Sequence, residues 1–393
     1  MTELRRGPRP LLLHLTLAML KSAASLSGWP NSNAGLTTPQ MAAKAQDILA
    51  SLAGGAETFP PALLEEVLAQ DRGLIAGIAA YRRHPWRREM DEPPAIWREG
   101  ESRVLDYGGT GPVVLFVPSL VNRAHVLDLA PGRSMLRHFA ANGTRALLLD
   151  WGWPGEVERG FTLTDYIAGR LERALQALPG PVVLAGYCMG GLLAVAAALR
   201  RPDRVRAVAL LATPWDFHAA DGERAAQIGG LVPLLEPVMA LTGTVPIDAL
   251  QVLFAMLDPW SIADKYRGFA KLEQDSERAR MFVALEDWLN DGVPLAAPVA
   301  RECLSGWYGA NTPGKGQWRI AGATVDPSAL GMPAFVAVPA RDRIVPPESA
   351  APLAALIQGA VLHTPSAGHI GMAAGATAER ALWRPLGAWI AGL

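Results

Sequence analysis

The sequence predicts an α/β fold in which a mostly parallel sheet is flanked by helices. Between residues 112 and 213, apolar stretches alternate with amphipathic helical patterns. Strands that are apolar throughout are typical of parallel sheets covered on both faces, and this alternation is typical of α/β domains. The chain has 393 residues, of which 50% are hydrophobic, so it is long and apolar enough to bury a large core.

The first part of the α/β core is predicted at residues 96–215. Its strands are expected at 102–108, 112–119, 145–151, 181–187 and 205–213, and its helices at 133–143, 162–178 and 190–201. Gly143 is a typical residue with which to end the first helix. Ile167, Leu171, Leu175 and Leu178 fall on one face of the second helix, as expected for a helix that packs on a sheet.

An insertion interrupts the alternation after Trp215. Residues 216–325 have helical stretches and several tryptophans but no clear strand repeat. The alternation resumes with apolar stretches at 333–340 and 360–366, so residues 326–393 are predicted to complete the core. An insertion of this size is usually a functional lid, and 216–325 is therefore predicted to be a helical cap.

Residues 1–95 are predicted to form an N-terminal arm and a helical region. Residues 28–60 are rich in turn-forming residues and predict an extended arm, whereas 61–84 have helical periodicity. Residues 8–28 resemble a secretory signal in their arginines and apolar stretch. His14 and Lys21 interrupt that stretch, which favours a docked amphipathic helix. No uninterrupted apolar run reaches about 18 residues, so a transmembrane helix is not expected.

The charge and cysteine content limit the partners, location and cofactors that can be expected. A net charge of −1 predicts no basic face, which argues against nucleic acid as a partner. Two cysteines, Cys188 and Cys303, allow one disulfide at most, so a cytoplasmic location is expected. Cys303 is predicted to be a packed helix residue. Neither zinc-ligand spacing nor a phosphate-binding loop motif occurs, and no metal or other cofactor is predicted.

Cys188 is the strongest candidate for a catalytic residue. It lies in GYCMGG, between a predicted strand and a predicted helix, with Gly186 and Gly190 at the positions where a nucleophile elbow needs small residues. The helix N-terminus would stabilise a thiolate, and the backbone N–H of Met189 would face a developing oxyanion. The alternative is that Cys188 is a small buried hydrophobic residue.

A cysteine nucleophile needs a base, and the base needs an orienting carboxylate. In folds with this elbow the chain order is nucleophile, acid, histidine. His218, His363 and His369 follow Cys188; His218 precedes any acid loop, and His363 lies within a predicted strand. The predicted triad is therefore Cys188, Asp342 and His369. A second oxyanion donor is expected after the strand at 112–119, from Val121 or Leu120, with Val121 preferred.

Several motifs resemble the polyhydroxyalkanoate synthases, polyester polymerases related to lipases. The matching stretches span about residues 110–390 and are VPSLVNRAHVLDL, LLLDWGWPGEVERGFTLTDYI, GYCMGG, TPWDF, EDWLNDGVPL, VPARDRIVPP and AGHIGM. The cysteine in the elbow, Asn122-Arg123 and Asp150-Trp151 are specific to that family. The resemblance implies an α/β-hydrolase fold with the helical cap inserted before the acid-bearing strand. The chain departs from the family at Arg343, where a histidine usually follows the acid.

The resemblance also implies a reaction. Cys188 would carry the growing acyl chain as a thioester, His369 would activate the thiol and the incoming 3-hydroxyl, and Asp342 would orient His369 or assist with the hydroxyl. The donor would be a 3-hydroxyacyl-coenzyme A, with Asn122 and Trp288 as candidate substrate-binding residues. Expected partners are the growing polyester or its granule surface, and a second copy or small subunit. The alternatives are a polyester depolymerase or thioesterase, and a non-catalytic granule-coating protein.

Overall fold

The computed structural model describes residues 5–27 and 59–393. Most of the arm predicted at 28–60 lies outside these residues. The described chain forms two compact units. The smaller consists of the chain up to Arg87 together with Phe254–Asn290, and the larger consists of Arg88–Leu253 together with Asp291–Leu393.

The larger unit is built around an eight-stranded sheet with the order β1-β2-β6-β3-β7-β8-β13-β14. Its strands are β1 Ala95–Glu99, β2 Ser102–Asp106, β3 Val113–Val117, β6 Arg145–Asp150, β7 Val182–Tyr187, β8 Val205–Leu211, β13 Ala334–Ala337 and β14 Val361–His363. Short two-stranded pairs are formed by β4 Asp128–Ala130 with β5 Arg133–Ser134, β9 Thr244–Val245 with β10 Leu295–Ala296, and β11 Arg319–Ile320 with β12 Ala323–Thr324. From β6 to β14 all neighbouring strands of the large sheet are parallel, whereas β1 and β2 pair antiparallel.

The described α-helices, in chain order, are α1 Leu11–Ser27, α2 Phe59–Arg83, α3 Met135–Ala141, α4 Glu172–Ala177, α5 Met189–Arg200, α6 Gly222–Gly229, α7 Val232–Thr242, α8 Ile247–Ala255, α9 Ser261–Ala270, α10 Glu277–Asn290, α11 Ala297–Arg301, α12 Pro347–Leu356, α13 His369–Ala374 and α14 Arg384–Ala391. Three π-helical segments, Asp165–Leu171, Glu302–Gly309 and Glu379–Trp383, adjoin α4, α11 and α14. A chain that alternates in this way between strands and covering helices has the predicted α/β class.

The apolar strand patterns are confirmed by burial. Every residue of β7 is buried, and so are the central residues of β3 and β6, because helices cover both faces of the sheet. The strands predicted in both halves of the core are present. Strand β1 was not predicted, because it lies at the sheet edge and its residues are only partly buried or exposed.

The predicted insertion enters between β8 and β13, which are nevertheless neighbours in the sheet. The insertion is divided between the two compact units. Residues 254–290 belong to the smaller unit, and the rest of the insertion belongs to the larger one. Its predicted role as a cap, and the predicted domain boundaries, remain predictions. Among the described helices, the stretch Gly222–Thr242, which contains α6 and α7, is long and apolar enough to span a membrane by length and composition alone.

The smaller unit has its own core between α1, α2, α9 and α10. It is formed by buried residues such as Leu74, Tyr81, Tyr266, Phe269 and Val283. The glycine that interrupts the helical pattern of α2 allows α9 to approach closely, since a Cβ on Gly77 would lie 2.0 Å from the Tyr266 carbonyl oxygen. The segment that resembles a signal forms α1, with Ala18 buried in this core.

Candidate active site

Cys188 lies at the corner between β7 and α5. Its backbone has φ 56° and ψ −127°, a conformation that non-glycine residues rarely adopt and that often marks functional sites. Its N–H donates to the Leu211 carbonyl at 2.8 Å, and its carbonyl accepts from the Gly191 N–H at 2.9 Å. These bonds hold the turn, and the thiol is left partly exposed. The predicted strand–turn–helix corner is therefore present, with Cys188 at its apex.

The glycines around Cys188 are required by close backbone approaches. A Cβ on Gly186 would lie 2.4 Å from the Gly191 Cα, and a Cβ on Gly190 would lie 2.0 Å from the Val117 carbonyl oxygen. At Gly191 a Cβ would meet the Thr213 side chain at 1.8 Å. A side chain at Gly186 would push α5 away from β7, and one at Gly190 would push it away from β3. A side chain at Gly191 would collide with Thr213, which follows β8. The sequence pattern thus has a direct steric cause.

His369 and Asp342 come from the loops after β14 and β13. The Nδ1 atom of His369 lies 2.7 Å from Oδ2 of Asp342, and both side chains are buried. Since a carboxylate only accepts, Nδ1 carries the proton and Nε2 is left for Cys188. The other carboxylate oxygen of Asp342 accepts from the backbone N–H groups of Ile344 and Val345, each at 2.9 Å. The structure thus brings together the acid and the histidine that the sequence paired.

The pKa of His369 depends on Cys188, the cysteine at the elbow. Burial lowers the pKa of His369, but the charge of Cys188 and hydrogen bonds with Asp342 and Cys188 outweigh it and raise the pKa to about 10. A protonated imidazole is therefore favoured at neutral pH when it faces the thiolate. The other two candidate histidines have structural bonds, since Nε2 of His218 contacts the Tyr308 carbonyl and Nε2 of His363 contacts the Ala381 carbonyl, both at 2.7 Å.

The oxyanion donors remain predictions. Met189 is the first residue of α5, a position whose N–H has no acceptor within the helix. The N–H of Val121 donates to the Ser119 hydroxyl at 3.0 Å and would have to exchange that acceptor to bind an oxyanion. Asn122, predicted to bind substrate, adopts a left-handed backbone with φ 69° in the same loop.

Three aromatic residues near the site were not predicted to support it. The hydroxyl of Tyr187 donates to the His369 carbonyl at 3.3 Å. The indole of Trp151 donates to the Pro118 carbonyl at 3.0 Å and anchors the loop after β3. Tyr308, on the π-helix Glu302–Gly309, interacts electrostatically with Cys188. Trp151 and Tyr187 had a sequence signal, in the Asp150-Trp151 pair and in GYCMGG, whereas the interaction of Tyr308 depends on contacts between distant segments.

Trp288 is the remaining residue that the sequence predicted for the site. Trp288 is a buried residue of α10 in the smaller unit, and its predicted role in substrate binding remains a prediction. Within residues 5–27 and 59–393, no group of three or more His, Cys, Asp or Glu side chains is placed to hold a metal ion.

The two cysteines are expected to differ in reactivity. Cys303 is 7% exposed, and burial raises the pKa of its thiol well above the usual range. Cys188 is more exposed and faces His369. We therefore expect iodoacetamide to label Cys188 well before Cys303 at neutral pH, as followed by peptide mass spectrometry. Equal labelling rates in the folded protein would show that Cys188 has no special activation.

Comparison with known proteins agrees with this geometry. A family model described as the alpha/beta hydrolase fold matches residues 112–228, which contain the elbow. The chain is 29% identical over 312 residues to the poly(3-hydroxyalkanoate) polymerase subunit PhaC of Haloferax mediterranei, covering 75% of this chain and 63% of that protein. It is 28% identical over 286 residues to the subunit of the same name from Allochromatium vinosum, covering 70% of this chain and 80% of that one.

Among solved structures, a bromoperoxidase from Bacillus anthracis is 14% identical, with a TM-score of 0.49 over 74% of this chain and 95% of that one. The α/β-hydrolase fold is established by the family model together with the sheet topology. The predicted fold class is confirmed, including the position of the insertion before the strand that precedes the acid.

Proposed function

This chain belongs to the polyhydroxyalkanoate synthase family of the α/β-hydrolase superfamily, and from that membership we propose that it is an acyltransferase that polymerises 3-hydroxyacyl-coenzyme A into polyester. The observation that carries the proposal is a cysteine at the elbow that interacts electrostatically with His369, whose Nδ1 lies 2.7 Å from the Asp342 carboxylate. The same order of groups serves acyl transfer in unrelated folds. The chain spans 63% of the Haloferax relative and 80% of the Allochromatium relative.

In the first half-reaction, the Cys188 thiolate attacks the carbonyl carbon of the coenzyme A thioester. The negative charge moves to the carbonyl oxygen, where the N–H groups of Met189 and Val121 are the proposed donors. Collapse of this intermediate breaks the bond to the coenzyme A sulfur, and the imidazolium of His369 supplies its proton. The products are an acyl-Cys188 thioester, free coenzyme A and neutral His369.

In the second half-reaction, His369 takes the proton of the 3-hydroxyl of another 3-hydroxyacyl group. That oxygen attacks the acyl-Cys188 carbonyl, an ester bond forms, and Cys188 leaves as a thiolate. Asp342 keeps the imidazole in the tautomer that accepts at Nε2 and stabilises its charge. A thiolate serves both steps because it is a good nucleophile and a good leaving group near neutral pH.

Transfer requires that water be kept from the acyl-enzyme. An aromatic cluster of the larger unit supports this proposal, because Cys188 packs against the hydrophobic core that contains Trp307 and Trp318. Phe217 packs against Tyr308 with ring centroids 5.0 Å apart, and against Trp307 at 5.7 Å. Trp307 in turn packs on Trp318 at 5.4 Å. We propose that this apolar wall favours the 3-hydroxyl over water as the acceptor.

The proposal also covers the substrate, the location of the enzyme and its partners. The substrate is a coenzyme A thioester, and no separate cofactor takes part in the steps above. The product is an insoluble polyester, so the enzyme would act in the cytoplasm at the surface of a polyester granule. A second copy of the chain or a small subunit is a proposed partner.

Product analysis tests the function. Purified protein supplied with 3-hydroxybutyryl-coenzyme A should release free thiol and form insoluble polymer, detected by turbidity and by chromatography of the hydrolysed precipitate. A mutant with Cys188 replaced by alanine is the matched control, since it keeps the fold and removes the sulfur. Free 3-hydroxybutyrate as the sole acyl product would instead identify a hydrolase on the same scaffold and would refute the polymerase.

A further inference from the structure

A basic cavity of about 440 Å³ lies at the end of the sheet, beside the edge strand β14. Its lining comes from three segments of the larger unit: the loop after β13, the carboxyl end of β14 with the loop that follows, and the chain between α13 and α14. The lining residues are Arg341, His363, Thr364, Pro365, Ser366, Thr377, Arg380 and Ala381. The proposed reaction does not use this cavity.

The formally charged residues in the lining of the cavity are basic. Two guanidinium groups, those of Arg341 and Arg380, line it, and no carboxylate from the described residues does. The neighbouring acidic residue, Glu379, is paired with Arg384, whose Nη2 lies 2.6 Å from its carboxylate. A third guanidinium, that of Arg133, donates to the Ala376 carbonyl at 3.4 Å, next to the lining residue Thr377. The cavity therefore attracts anions.

The exposed residues of the lining also offer hydrogen-bond donors. Nη2 of Arg341 donates to the Ser366 carbonyl at 2.6 Å, which helps to orient the guanidinium. For Arg380, no side-chain hydrogen bond or ion pair is found with the part of the chain that the structure describes. The hydroxyls of Thr364, Ser366 and Thr377 add neutral donors.

The geometry points to an oxyanion site that takes a phosphate group. Guanidinium groups match the planar pairs of phosphate oxygens, and charge-assisted hydrogen bonds of this kind are the strong ones. A cavity with two arginines, three hydroxyls and no carboxylate suits a phosphomonoester or a diphosphate better than a carboxylic acid or an apolar molecule. This inference does not depend on the proposed function.

The phosphate has two chemical sources, a small inorganic phosphate and the phosphate groups of a coenzyme A molecule. Arg341 directly precedes Asp342, and Ser366 lies three residues before His369. The cavity is thus partly lined by the two loops that carry Asp342 and His369. Like Cys188, these loops follow the carboxyl ends of parallel strands. Either source could therefore reach it from the side of the molecule where the reaction is proposed.

Calorimetric titration of the full chain tests the site, with pyrophosphate as the probe in chloride buffer of constant ionic strength. We expect saturable binding to the wild type, and binding at least about tenfold weaker for Arg380→Gln and for Arg341→Gln, because each loses a charge-assisted hydrogen bond. Arg319→Gln is the matched control, since it removes an exposed arginine of the larger unit that donates to the Gly322 carbonyl and does not line the cavity. All variants should keep the thermal midpoint of the wild type.

The same titration with coenzyme A separates the two sources. Weaker coenzyme A binding by Arg380→Gln assigns the phosphate to the coenzyme, whereas unchanged coenzyme A binding with weakened pyrophosphate binding assigns it to a free phosphate. The inference is overturned if wild type shows no saturable binding of millimolar pyrophosphate. It is also overturned if Arg319→Gln loses as much affinity as Arg380→Gln, because the attraction would then be general surface charge.

Discussion

Replacing Cys188 with serine is expected to remove nearly all acyl transfer, with the rate falling by at least about a thousandfold. The substitution changes one atom and leaves the strained turn and its glycines in place, so the folded structure should persist. A serine hydroxyl ionises far less readily than a thiol, so His369 would have no thiolate partner in this variant. Release of free coenzyme A from 3-hydroxybutyryl-coenzyme A measures the loss.

Cys303→Ser is the matched control for this experiment. That thiol is buried and belongs to the core of the larger unit, so its replacement should leave the transfer rate close to that of the wild type. Mass spectrometry of the wild type during turnover should also find an acyl adduct on Cys188 and none on Cys303. A Cys188→Ser enzyme that retains more than about a tenth of the rate would count against covalent catalysis.

Asp342→Asn is expected to lower the transfer rate by about a thousandfold to ten-thousandfold while leaving the fold intact. Asparagine has nearly the same shape and can still accept from the Ile344 and Val345 N–H groups through its carbonyl oxygen. Its amide nitrogen then faces Nδ1 of His369 and only donates, so the ring must hold its proton on Nε2. An imidazole in that tautomer cannot accept the proton of Cys188.

The same variant should change the pH dependence of cysteine reactivity. In the wild type, Cys188 and Asp342 together raise the pKa of His369 to about 10. Loss of the carboxylate lowers that pKa, so less imidazolium is present to stabilise the thiolate at neutral pH. Alkylation of Cys188 by iodoacetamide at pH 7 should therefore be slower in Asp342→Asn, a change that a purely structural residue would not produce.

Asp326→Asn is the matched control for Asp342→Asn. Asp326 also caps backbone N–H groups of the larger unit, accepting from Ser328 at 3.0 Å, but it is exposed and has no histidine partner. We expect wild-type transfer and alkylation rates for this variant. If Asp342→Asn behaved in the same way, Asp342 would be a structural cap of the loop after β13 and the base would need another partner.

The elements of the core could be predicted because their signals are local. A strand such as β7 is apolar along its whole length, and Gly186, Gly190 and Gly191 mark the corner that follows it. Strand β1 was missed because an edge strand is covered on fewer sides and lacks that apolar run. The first half of the helix predicted at 162–178 is π-helical, a difference in hydrogen-bond register that side-chain periodicity does not resolve.

The order of the candidate catalytic residues along the chain could be predicted, but the contacts that surround them could not. Cys188, Asp342 and His369 follow the chain order that this type of elbow requires. That order excluded His218, and the position of His363 within a predicted strand left His369 as the candidate base. The contacts of Tyr187 with the His369 carbonyl and of Trp151 with the Pro118 carbonyl join segments far apart in sequence. No local pattern encodes such pairs.

The sequence by itself determined the alternation of strands and helices, the steric need for glycine around the elbow, and the identity of the three residues proposed for catalysis. Only the tertiary structure decided that β8 and β13 are neighbours across the insertion, and that Asp342 and His369 meet beside Cys188. It also decided that arginines from separate loops line one cavity. The physical reason is that backbone sterics and hydrophobic periodicity act between near neighbours in the chain, whereas the strand order of the sheet sets which distant side chains come into contact.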